Sequence, residues 1–182
     1  MKINLIYGTE TGYTELIGED IMERWVRAWP DDDFKIVRVD ETIPEDWKAD
    51  LLILGAPTWC EPRLEVLGEL SEDWNGEMDD IKKRDFTGQK VAIYGLGDQH
   101  GYGDNFVDGL GLLAKPIIEN GGTIIATTST AGYSFTESYG LIDKDTFYGL
   151  AIDEDQQANR TNDRIINWLH QIERELYDGD RT

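Results

Sequence analysis

The segment Leu51-Leu52-Ile53-Leu54-Gly55-Ala56 constrains this chain more than any other. It is almost wholly apolar, yet far shorter than the about 20 residues that cross a membrane. A strand of this kind has no polar face, so both of its faces must be covered. That requires a central place in a parallel sheet with helices above and below.

The rest of the chain supplies what such a strand needs. Lys2 to Tyr7 reads as a first strand. A helix follows from about Thr11 to Trp29, with Ile17, Ile21, Trp25 and Ala28 at helical spacing. Pro30 and Asp31-Asp32-Asp33 end it, and Phe34 to Val39 forms a second, more polar strand near an edge. After Ala56 a loop runs from Pro57 to about Leu64, and the stretch to Ile81 is acidic and partly helical. Lys90 to Gly95 is the fourth strand. Phe106, Leu110, Leu113, Ala114, Ile117 and Ile118 mark a helix that Gly121-Gly122 stops. Thr123 to Thr127 opens a fifth strand, Thr128 to Thr146 loses all period, and Phe147 to Ile152 resumes a strand. A last helix covers about Asn162 to Tyr177, with Ile165, Leu169, Ile172 and Leu176 on one face. The expectation is one α/β domain over residues 1–182. It is a doubly wound, five-stranded parallel sheet in three α/β/α layers, its fifth strand split by an insertion at about 128–146.

Composition narrows the function. Lys plus Arg number 17 against 37 Asp plus Glu, a net charge of −20. Such a chain repels nucleic acid and anionic lipid and attracts basic proteins. A single cysteine, Cys60, excludes an internal disulfide and any multi-cysteine metal site. With His100 and His170 far apart, no zinc or nucleophile system is expected. The start of the chain runs straight into a strand without a secretory signal, so the expected location is the cytoplasm.

Open parallel sheets bind ligands beyond the carboxyl ends of their strands, so the loops there carry the chemistry. After strand 1 comes Gly8-Thr9-Glu10-Thr11-Gly12-Tyr13-Thr14, leading into a helix. A helix N-terminus offers unpaired N–H groups and a positive dipole end, which suit a phosphate. Gly12 allows close backbone approach, and Thr9, Thr11 and Thr14 add hydroxyls. It is neither a Gly-x-x-x-x-Gly-Lys loop nor a Gly-x-Gly-x-x-Gly fingerprint. After strand 3 comes Pro57-Thr58-Trp59-Cys60-Glu61-Pro62, which places a Trp at the ligand edge. After strand 4 comes Gly95-Leu96-Gly97-Asp98-Gln99-His100-Gly101-Tyr102-Gly103-Asp104-Asn105, with Tyr102 as a second loop aromatic. Alone, each has an ordinary reading: a threonine helix cap, a Trp folded onto the core, a Gly-rich connection. Together they describe a planar cofactor with a phosphate tail.

These residues resemble the flavodoxin family. Thr9-Glu10-Thr11-Gly12-Tyr13-Thr14 is similar to its phosphate motif, and Pro57-Thr58-Trp59 to its first flavin-flanking loop. Gly97-Asp98-Gln99-x-Gly-Tyr102 with Asp104-Asn105-Phe106 resembles the second. Gly149 to Gln156 resembles the segment before the last helix, and the insertion resembles the long-chain branch. The resemblance covers essentially the whole chain and implies non-covalent FMN and low-potential one-electron transfer, without catalysis of its own. By it, Thr9, Glu10, Thr11 and Thr14 hold the phosphate, with N–H groups from Gly12 and Tyr13. Thr58 lies near the ribityl chain or phosphate, and Trp59 and Tyr102 sandwich the ring. Gly97, Asp98, Asn105 and the Cys60 region bond its polar edge, with Pro57 and Phe106 completing the two flanking motifs. The implied partners are basic redox proteins such as a flavodoxin/ferredoxin-NADP reductase or photosystem I, met by a monomer.

The charge of −20 suits that role, because it disfavours a reduced flavin carrying negative charge. Cys60 stands where a Gly or Asn often eases a peptide turn in the family, and Pro62 restricts Glu61. The one-electron-reduced flavin is therefore expected to be less stabilised than usual. Cys60 itself reads as loop filler and His100 as an exposed histidine, or as a pH-sensitive neighbour of the flavin. The acids Glu65, Glu69, Glu72, Asp73, Glu77, Asp79 and Asp80 form a solvated face or a docking surface, and Lys82-Lys83-Arg84 a solvated helix end. The competing function is an FMN-dependent NAD(P)H:quinone reductase of the same fold, for which no nicotinamide or quinone motif is evident. A phosphoacceptor domain would need an Asp where Ala56 stands and acids where Gly8 stands.

Overall fold

The computed structural model describes residues 1–57 and 72–177. Strand β1 (Lys2–Tyr7) leads to helix α1 (Tyr13–Ala28) and strand β2 (Asp33–Arg38). Two 3-10 turns, Val39–Glu41 and Pro44–Trp47, bring the chain to β3 (Leu51–Ala56). Then come α2 (Glu72–Ile81), β4 (Lys90–Leu96), α3 (Asp108–Glu119) and β5 (Thr123–Ile124). Three short strands follow, β6 (Thr128–Ser129), β7 (Leu141–Asp143) and β8 (Thr146–Phe147), before β9 (Leu150–Ile152) and α4 (Glu154–Tyr177).

The sheet is parallel, in the order β2-β1-β3-β4-β5, with β9 also paired to β4. This is the strand order that defines the flavodoxin-type doubly wound sheet. Leu51–Ala56 is central, between β1 and β4, and buried at every position. Alternation splits its side chains between two cores. Leu52, Leu54 and Ala56 join Trp74, Phe106 and Ile117 on one face. Leu51 and Ile53 join Ile21, Trp25 and Trp168 on the other. β2 is an edge strand and is only partly buried, as its polar sequence requires.

Three fully buried tryptophans each give their indole N–H a partner, as burial demands. Trp25 donates to Asp32 Oδ2 at 2.9 Å, Trp74 to the Gly55 carbonyl at 2.9 Å and Trp168 to the Ala126 carbonyl at 2.8 Å. The second ties α2 to β3, and the third ties α4 to the segment just after β5.

The split strand is present. Thr123–Ile124 pairs with Lys90–Val91, and Leu150–Ile152 pairs with Tyr94–Leu96. Between them the insertion folds into its own antiparallel sheet, β6-β8-β7. Its strands of two or three residues are too short to leave a period in the sequence. Phe147 belongs to this small sheet and not to the resumed strand.

Several helix bounds differ from the periodicity. Helix α1 starts after Gly12, not at Thr11, because Gly12 has φ 86°, outside helical space. Helix α3 starts after Val107, whose φ is 49°, so Phe106 precedes it. Helix α4 starts at Glu154 rather than Asn162, with a non-helical break at Gln157 (φ −138°). The early turn carries only polar residues and so has no apolar stripe to read. Among the basic trio, Lys82 and Lys83 are exposed, but the Arg84 guanidinium lies 4.7 Å from the centroid of the Trp47 ring.

Candidate functional site

In the order 2-1-3-4-5 the connections from β1 and β3 leave to opposite faces, which opens a crevice at the carboxyl ends of these strands. A cleft of about 350 Å³ lies there. It is lined by Glu10, Thr11, Tyr13 and Thr14 after β1, and by Pro57 after β3. Leu96, Gly97 and Tyr102 line it from β4 and its loop, and Glu154 and Asp155 from the start of α4.

The loop after β1 is built largely from its own atoms. The Thr9 Oγ1 accepts from Gly12 N–H at 3.0 Å, and the Gly12 carbonyl accepts from Leu16 N–H at 3.1 Å. Gly12, left-handed, turns the chain into α1, and a Cβ there would meet nothing within 4 Å among the described residues. Gly12 at the N-cap has no side chain to cap α1, and among the described residues no side-chain cap bond is made to its first turn. Beneath the turn, Tyr94 Oη donates to the Thr14 carbonyl at 2.8 Å. Gly55 leaves room for that ring, since a Cβ there would sit 2.3 Å from Tyr94 Oη. The other support comes from α2, where Asp73 Oδ2 accepts from Thr9 N–H at 3.1 Å. Asp73 also pairs with Arg38 at 3.3 Å. Of the acids read as a solvated face, Asp73 is thus structural, while Asp79 and Asp80 are exposed.

The loop after β4 is held both by its own turns and from elsewhere. Asp98 Oδ1 accepts from His100 N–H at 3.0 Å, Gly101 N–H at 2.9 Å and Gln156 Nε2 at 3.1 Å. Partial burial works against the Asp98 carboxylate, but these donors outweigh it and set its pKa below the usual value. Gln99 is buried against Asp153, which is itself fully buried. The Gly103 carbonyl accepts from Thr136 N–H at 2.8 Å and Glu137 N–H at 3.0 Å, both in the insertion. Tyr102 is 48% exposed at the tip.

Of the residues named from the sequence, Glu10, Thr11, Tyr13, Thr14, Pro57, Gly97 and Tyr102 line one cleft. Thr9, Gly12, Asp98 and Asn105 instead shape its loops; Asn105 Nδ2 donates to Asp108 Oδ2 at 3.1 Å. Phe106 is a correction. Its ring is fully buried, stacked 5.2 Å from Phe135 and packed on Tyr133 and Phe147, so it belongs to the core under the insertion. Thr58, Trp59 and Cys60, with Glu61 and Pro62, lie outside the described residues, as do Glu65 and Glu69. The sequence reading missed Leu96, Glu154 and Asp155. The signal was there for the two acids, which fall in the Gly149–Gln156 segment.

Those acids set the electrostatics. No Lys or Arg lines the cleft among the described residues. Burial, and then the charges of Asp98 and Asp153, push the Asp155 pKa up. Backbone N–H groups at the start of α1 and its dipole are what this cleft offers an anion, within a negative surround.

Comparisons with known proteins agree with this fold. A family model described as flavodoxin matches residues 5–168. A flavodoxin of Trichodesmium erythraeum is 42% identical over 180 residues, covering 96% of this chain and 98% of the relative. A flavodoxin of Klebsiella pneumoniae is 38% identical, covering 96% and 94%. The crystal structure of Fusobacterium nucleatum flavodoxin bound to flavin mononucleotide superposes with TM-score 0.83 at 32% identity, covering 96% of this chain and 98% of that one.

Proposed function

The chain belongs to the flavodoxin family, and on that premise we propose that it is a low-potential one-electron carrier that binds FMN non-covalently. The observation that carries the proposal is the cleft at the switch point, where the uncapped start of α1 meets the loop bearing Tyr102. The fit to the cofactor rests on that donor set. Unpaired N–H groups at a helix start, a left-handed glycine and threonine hydroxyls suit a phosphate without a basic side chain.

Bound FMN supplies the one-electron chemistry, and the chain supplies its surroundings. Thr11, Thr14 and the N–H groups around Gly12 and Tyr13 bind the phosphate end. Tyr102 covers one face of the ring, and Gly97 lets the backbone lie against its edge. Glu10, Glu154 and Asp155 place like charge around it, which disfavours an anionic reduced ring and keeps the potential low. The same acidity steers basic redox proteins toward the exposed edge, for a monomer working in a soluble compartment. No helix among the described residues is long and apolar enough to cross a membrane.

The test is the visible spectrum of the purified protein, or of the apo-protein titrated with FMN. Bands of bound oxidised flavin and two one-electron steps are expected; no flavin binding overturns the proposal. Association with a basic partner should slow steeply as salt rises, and a flat dependence removes the steering role.

A further inference from the structure

Gln99 links three segments around the cleft, yet it is not among the residues that line it. It is 5% exposed. Its backbone N–H and its side-chain Nε2 both donate to Asp153 Oδ2, at 3.1 and 2.7 Å. Its Oε1 accepts from Ser134 N–H of the insertion at 2.6 Å. The orientation of the amide is forced, because a carboxylate can only accept and a backbone N–H can only donate. Asp153 uses its other oxygen to accept from Gln156 N–H at 2.9 Å, capping the helix that carries Glu154 and Asp155. One amide therefore joins the loop after β4, the insertion and the start of α4. A buried amide with both ends bonded admits few alternatives, since any shift leaves a buried polar group unpaired.

We propose that Gln99 is a positioning residue for the flavin ring: by bridging Asp153 and Ser134 it fixes the loop that carries Gly97 and Tyr102, while the phosphate site is left independent of it. This rests on the FMN reading above. A terminal amide offers a donor on one side and an acceptor on the other at this reach. Leucine fills the space without either, and glutamate keeps the acceptor but loses the donor.

The experiment compares wild type with Gln99→Leu and Gln99→Glu in the full-length apo-protein. Amide hydrogen exchange of 97–105 is read first, then affinity for FMN and for riboflavin, which lacks the phosphate. Gln99→Leu should exchange faster in this loop and bind both flavins weaker by about tenfold, with their ratio unchanged. Gln99→Glu should behave like Gln99→Leu at neutral pH, where its carboxylate faces that of Asp153. It should regain tight binding in mild acid, when a protonated Glu can again donate. Asp98, His100, Tyr133, Asp155 and Arg164 also stand around this point, so wild type is titrated in parallel. Unchanged affinity for both flavins in Gln99→Leu, or a loss confined to FMN, overturns the proposal, as does Gln99→Glu without acid rescue. A wild type that binds neither flavin overturns the function instead, and loop exchange in the apo-protein then decides the clamp alone.

Discussion

The two loops that face each other across the cleft differ in how much they take from distant segments. The loop after β1 closes on itself within a few residues, through Thr9 Oγ1, Gly12 and the first turn of α1. The loop after β4 also has turns of its own, from His100 and Gly101 N–H to Asp98 and from Tyr102 N–H to the Asp98 carbonyl, but it is tied in addition to Asp153, Ser134, Thr136, Glu137 and Gln156, each at least 30 residues from its partner in sequence. A phosphate needs donors at fixed spacing, and a local turn supplies them. A ring needs a surface at a set height above the sheet, and only distant segments can set that height. The contrast predicts that damage to the first loop costs phosphate recognition, whereas damage to the second costs both flavins alike.

The contrast is weakest under the first loop, where Tyr94 reaches across from β4 to the Thr14 carbonyl. Gly55→Ala attacks that support and should have the largest effect. Its Cβ would lie 2.3 Å from Tyr94 Oη and 2.4 Å from Cζ, on a fully buried ring that has nowhere to go. Overpacking of this kind costs about 3 kcal/mol, read as a shift of the denaturation midpoint of the apo-protein. A neutral result would mean that the ring is not needed where it lies.

Asp153→Ala tests the second loop. It removes a helix cap and leaves the donors of Gln99 without their buried acceptor. The expected loss is about 2 kcal/mol. Exchange should rise in 97–105 and at the start of α4, with residues 8–14 unaffected. Gly12→Ala is the matching test of the first loop. Among the described residues nothing lies within 4 Å of the new Cβ, so the expected cost is that of the left-handed backbone, about 1 kcal/mol. Here the affinity for FMN should fall relative to riboflavin, and a parallel loss of both would erase the distinction between the loops.

The same contrast explains what the sequence could show. The phosphate loop was legible because its donors, its glycine and its hydroxyls are neighbours along the chain. The central strand was legible because burial on both faces leaves no polar residue in Leu51–Ala56 apart from its backbone. Phe106 was misread because its position beside a loop motif says nothing of the direction of its ring. That direction is set by Tyr133, Phe135 and Phe147, which arrive from the insertion and its small sheet. The insertion itself left no period, since strands of two or three residues complete no repeat. Glu154 and Asp155 escaped because α4 opens with a polar turn before its apolar stripe begins.

The smallest effect separates by sign a carboxylate of the second loop, Asp98, from one at the start of α3, Asp108. Asp98 has a lowered pKa: burial opposes ionisation, but N–H groups of Gly101 and His100 and the Gln156 amide favour it. The unfolded state then binds more protons than the folded one, so Asp98 stabilises above the usual Asp value of about 3.9. That contribution is lost as pH falls through its lower folded value. Asp108 is the reverse, raised by burial despite donors from Tyr139 N–H and Asn105. Ionised, it costs stability at neutral pH, and the cost is relieved as pH falls through its raised value. Denaturation midpoints of Asp98→Asn and Asp108→Asn, measured between about pH 3 and about pH 7 against wild type, check this. Asp98→Asn should lose less stability than wild type on acidification, and Asp108→Asn should lose more. Slopes of the same sign for both would mean that the loop's hydrogen bonds do not outweigh burial at Asp98, and that its shape is not held by the carboxylate.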